Sequence, residues 1–133
     1  MLETLEIQDN EVKTANANPY TGLKDISEVQ PYCPTKDKAL FSKLREVLRE
    51  YKADDRFGIT LLHDHFEVSN GEWMVETHDE ETRTLTIKPY RSEDLSEAKV
   101  DLQETNWRFN KTGEVVAMQF CVLDKQGIHR EIL

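Results

Sequence analysis

At 133 residues the chain has the length of one domain, enough to close a hydrophobic core without a metal or disulfide to hold it. Apolar residues make up 38% and charged residues 32%, and 26 acidic against 17 basic side chains leave a net charge of -9, a balance that repels nucleic acid and anionic lipid. No apolar run approaches the roughly 20 residues of a bilayer crossing, and Met1-Leu2-Glu3-Thr4-Leu5-Glu6 lacks the basic start and apolar stretch of a secretory signal, so a cytoplasmic protein without membrane or nucleic-acid partners is expected.

Residues 1–32 show no sustained periodicity, and the stretch 9–22 is rich in Asn, Asp, Thr and Lys. They read as an N-terminal arm ahead of a single domain over 33–133. Thr35 is placed as the N-cap of a helix over about 36–52, in which Leu40, Leu44, Val47, Leu48 and Tyr51 recur at three- and four-residue intervals and predict a core-facing stripe. The same span holds six basic residues against three acidic ones, a local +3 on an acidic chain, which is either a solvated face or a docking face for an acidic partner.

From Phe57 the period turns extended, and 57–68 is expected to form the first strand. The Asn70-Gly71 pair signals a turn. Strands over 72–78 and 83–90 follow, then a short acidic helix within 92–103 with Ser92 as cap. Two further strands, 105–109 and 114–123, flank a turn at Asn110-Lys111-Thr112-Gly113, and the second is apolar on both faces and therefore central. A sixth short strand is expected at 128–133. The fold class predicted is α+β, with the one main amphipathic helix packed on an antiparallel sheet of five to six strands, curled towards a barrel in one variant.

The most pointed chemistry is His63-Asp64-His65. On a strand His63 and His65 share one face about 6.7 Å apart at Cα, close enough for both imidazoles to reach one divalent metal, while Asp64 points away. Glu76, His78 or His129 would supply a third ligand. The bland alternative is a pair of neutral imidazoles hydrogen-bonded at the rim of the core. No cofactor is otherwise indicated, since the five glycines are scattered and none opens a phosphate loop. Cys33 and Cys121 are too few for a disulfide framework and are expected as thiols; Cys33, ahead of a helix N-terminus, is the one candidate for thiol chemistry.

Three resemblances attach to these residues. Gly58, His63-x-His65 and Gly71-Glu72 resemble the first metal motif of cupins, which implies His63 and His65 as ligands; Ser69 and Asn70 stand where cupins carry their Glu. Cys33-Pro34-Thr35 resembles the peroxidatic string of peroxiredoxins, without the apolar strand that leads to it there. The run from Phe57 to Phe66, with 72–76 and Asn106-Trp107-Arg108-Phe109, resembles an uncharacterised group of small bacterial and fungal proteins with a Leu-His-x-His-Phe segment, which implies no activity. The function expected is a binding or interaction domain for a small molecule or protein, with a pocket formed by His63, His65, Glu76 and Trp107. A metal-dependent enzyme at the same pair is the rival expectation.

Overall fold

The computed structural model describes residues 18–123, so the sixth strand expected at 128–133 and His129 lie outside the described residues. These fall into two compact units, a helical one, Gly22–Phe66, and a sheet unit made by the residues up to Thr21 with those from Glu67 on.

The helical unit begins with a 3-10 turn, Ile26–Glu28, capped by Asp25, whose carboxylate accepts from Ser27 N at 3.0 Å. Helix α1 spans Lys38–Glu50 and starts from Asp37 rather than Thr35. Cys33 O accepts from Asp37 N at 2.9 Å, and the Asp37 carboxylate takes Cys33 N at 2.8 Å. The apolar stripe of α1 does not enter a core: Leu40, Val47 and Tyr51 are 57%, 49% and 75% exposed, and the helix buries no residue. Beyond α1 the chain from Phe57 forms no ladder, with an isolated bridge at Asp64 and a bend at His65 and Phe66. The strand expected at 57–68 is absent because its backbone finds no neighbouring strand: its one bridge joins Asp64 to Asp25, with Asp64 N donating to Lys24 O at 2.9 Å.

The sheet unit is two hairpins joined at the middle. Strands β1, Glu72–Asp79, and β2, Thr84–Arg91, pair antiparallel from Glu72↔Arg91 to Asp79↔Thr84. Asp79 closes their turn by accepting from Glu81 N and Thr82 N at 3.0 and 3.3 Å. Helix α2, Ser92–Ala98, follows, and Lys99 ends it in the left-handed conformation. Strands β3, Asp101–Phe109, and β4, Val115–Leu123, form the second hairpin, with Asn110 Oδ1 accepting from Thr112 N and Glu114 N and Gly113 at φ 82° completing the turn. The strand order is β2-β1-β4-β3, and β1 pairs with β4 in parallel through Met74↔Gln119, Val75↔Phe120 and Glu76↔Cys121.

The sheet is therefore mixed, open and four-stranded among the described residues, where an antiparallel sheet of five to six strands was expected. The central position of 114–123 holds: Val116, Ala117, Met118, Phe120 and Val122 are all buried. Leu95 of α2 is the helical residue that enters the sheet's core, against Val75 and Val122, with Trp73, Tyr90, Val100 and Leu102 around it. Trp73 and Phe120 pack at 5.0 Å between ring centroids, and the Trp73 indole donates to Ser92 Oγ at 2.9 Å, tying the start of α2 to β1.

Candidate functional site

The two imidazoles do meet, although not from a strand. The His63 and His65 rings lie 4.9 Å apart at 77°, edge to face. His63 Nδ1 donates to Leu61 O at 2.7 Å, which leaves Nε2 as the lone-pair atom of the neutral ring. Asp25 is held below its ordinary carboxylate value, first by its hydrogen bonds from Ser27 and to a lesser degree by the two nearby imidazoles. Among the described residues no group of three His, Cys, Asp or Glu side chains is placed to hold a metal ion. The pair thus offers two ligands where a catalytic zinc typically takes three from protein. His63 and His65 belong to the helical unit, whereas Glu76, His78 and Trp107, named as their neighbours, belong to the sheet unit.

Glu76 is engaged in a polar cluster of its own. Its Oε2 accepts from Thr105 Oγ1 at 2.9 Å and from Cys121 Sγ at 3.0 Å, in line with the parallel pairing that sets Glu76 beside Cys121. A register irregularity between Glu104 and Asn106 accompanies the turn of Thr105 towards β1. Burial, followed by the Glu76 carboxylate, pushes the Cys121 thiol up to about 12, so this cysteine is a hydrogen-bond donor and no nucleophile. Tyr20 donates its hydroxyl to Met118 O at 2.9 Å, and burial raises it to about 12 as well. Trp107 donates to Glu104 Oε1 at 3.3 Å, and His78 Nε2 stands 3.8 Å from Glu80 Oε1. Arg108 fastens residues 18–21 by donating from Nη1 to Pro19 O and Thr21 O at 2.9 and 3.1 Å, while the Asn18 amide bonds Val68 O. The contacts of Thr105 and Cys121 with Glu76 escaped the sequence reading because only the parallel register brings them together. Both donors to Glu76 thus come from β3 and β4 of the same sheet.

A recess lies in the helical unit. Lys38, Phe41, Ser42, Arg45 and Leu48 follow one another at helical spacing along one face of α1, and with Tyr32, Pro34, Asp54, Gly58 and Ile59 they line an open groove of about 580 Å³. Tyr32 packs on Phe41 at 4.7 Å between centroids, which fixes the groove's near wall. Tyr32, Phe41 and Ile59 remain 54%, 37% and 52% exposed. Gly58 and Ile59 come from the same segment, after α1, that carries His63 and His65. At the entrance to α1, Cys33 Sγ lies 3.2 Å from Thr35 Oγ1, and that hydroxyl, then the backbone N–H groups of Lys36 and Thr35, draw the thiol below its ordinary value.

No protein-family model matches the chain, and neither a curated protein nor a solved structure matches it. Among the described residues no helix is long and apolar enough to cross a membrane.

Proposed function

We propose that the protein is a cytoplasmic binding domain that acts through the groove beside α1, and that the site it offers is for side chains of a partner rather than for chemistry. The observation that carries this reading is the apolar lining itself: Tyr32, Phe41, Leu48 and Ile59 converge on one recess, and three of the four stay substantially open in a unit whose only buried hydrophobic residue is Ala53. Apolar surface left in water is stabilised by about 25 cal/mol for every Å² covered, so a ligand that seats on these residues gains affinity without needing a catalytic group. The groove shares the segment from Gly58 with the histidine pair, but none of His63, His65, Glu76 and Trp107 lines it.

Titration of the isotope-labelled protein with indole, a neutral aromatic probe, tests the reading by nuclear magnetic resonance. Amide shifts should concentrate at Phe41, Leu48 and Ile59 and fade in Phe41→Ala. Shifts confined to the surroundings of Glu76 and Trp107 would assign the site elsewhere and end this proposal.

A further inference from the structure

We infer that the occupant of the groove is an acidic amphipathic segment of another protein, its apolar side chains seated on Phe41, Leu48 and Ile59 and its carboxylates paired with Lys38 and Arg45. This rests on the binding reading given above and adds the chemistry of the partner. Lys38 and Arg45 stand seven residues apart on α1, two turns or about 10.5 Å along the axis, on the same face as Phe41 and Leu48. Neither forms an ion pair among the described residues, whereas Lys43 is engaged with Glu46 at 3.8 Å. Asp54 is the one acid in the lining, against these two cations.

The charge of the rest of the chain sharpens the choice. Residues 36–52 carry +3 and the remainder therefore -12, which together make the net -9. An acidic segment is repelled by most of the molecule and attracted at α1, so the field guides it to the groove and discourages contact elsewhere. A basic partner would be held by the -12 remainder with no preference for α1, and a nucleic acid would meet repulsion and an apolar floor. A free inorganic anion would leave Tyr32, Phe41 and Ile59 uncovered. An amphipathic segment satisfies both parts at once, as helix-in-groove and charged-motif recognition do in general.

Fluorescence anisotropy with the full-length protein tests the inference. The probe is a labelled peptide of Leu at alternating three- and four-residue intervals with Glu between, compared with versions carrying Gln or Lys in place of every Glu. At about 20 mM salt the Glu peptide should bind about threefold to tenfold more tightly than the Gln peptide, and the gap should close near 0.5 M salt. Lys38→Glu combined with Arg45→Glu, both at exposed positions, should reverse the order in favour of the Lys peptide. Equal binding of Glu and Gln peptides, both weakened by Phe41→Ala, overturns the acidic partner and leaves the groove reading standing. No binding of any peptide to the folded protein overturns the two together.

Discussion

Tyr20→Phe keeps an aromatic ring in place and deletes one hydroxyl, the group that donates to Met118 O at 2.9 Å on the central strand. A bond of this kind contributes about 1 kcal/mol net, and with a urea slope near 2 kcal/mol per molar the unfolding midpoint should fall by about 0.5 M. The same hydroxyl makes the difference depend on pH. Burial, with the Glu76 charge adding to it, lifts Tyr20 from 10.0 to about 12, so the fold favours the neutral phenol. Because the folded value lies above the unfolded one, this stabilisation is complete below pH 10 and is lost as pH rises through 12. Two units correspond to about 2.7 kcal/mol at most, and the open side of the ring screens that to about 1–2 kcal/mol. Urea unfolding of both proteins, followed by tryptophan fluorescence at about pH 8 and pH 11, should show a clear gap that narrows at the higher pH. Equal midpoints at the lower pH, or a gap that does not change, would refute the docking of Tyr20 on β4.

The thiols should differ widely in reactivity: Cys121, lifted to about 12 by burial and by Glu76, holds about a thousandfold less thiolate near neutrality than an unshifted thiol, while Cys33 is drawn the other way, so iodoacetamide should label Cys33 first, and comparable rates by mass spectrometry would contradict the structure. Leu95→Ala opens a cavity against Val75 and Val122 and should cost about 2–4 kcal/mol in chemical denaturation; a loss below about 1 kcal/mol would mean that α2 is not seated on the sheet. Gly113→Ala should cost about 1 kcal/mol, since φ is 82° and no atom crowds the added methyl, and Gly58→Ala, equally open and without a positive φ, is the control expected to be near neutral. Protein purified without an affinity tag should hold zinc well below one equivalent by elemental analysis; a full equivalent that disappears on His63→Ala with His65→Ala would reinstate the metal reading.

Local periodicity carried the elements that repay it locally. The stripe at 40, 44, 47 and 51 located α1, the alternation of Leu85 and Ile87 with Thr84, Thr86 and Lys88 located β2, and the doubly apolar run from Val115 located the central strand. The stripe also suggested a buried helix, yet helical spacing reports that a face is apolar and leaves open whether anything covers it. The run from Phe57 failed for a related reason: Ile59, Leu61 and Leu62 supply strand-forming side chains, but a ladder needs a second backbone in register, and only Asp25 is bridged to it. The parallel contact of β1 with β4 was invisible because each strand already has a hairpin partner announced by its own turn, and no turn announces the other side. That hidden contact brings Cys121 to Glu76. The histidine pair was legible as a pair of neighbouring rings.

The order β2-β1-β4-β3 also has a consequence for how the chain assembles. Each hairpin closes over its own short turn, whereas the seam between them unites Glu76 with Cys121, 45 residues away. Closing that long loop carries the larger entropic cost, so the hairpins should zip early and their lateral fusion should set the folding speed. Truncating Val75 or Val122 should then mainly slow refolding, and a variant that instead lost its stability through faster unfolding alone would place the seam after the rate-limiting step.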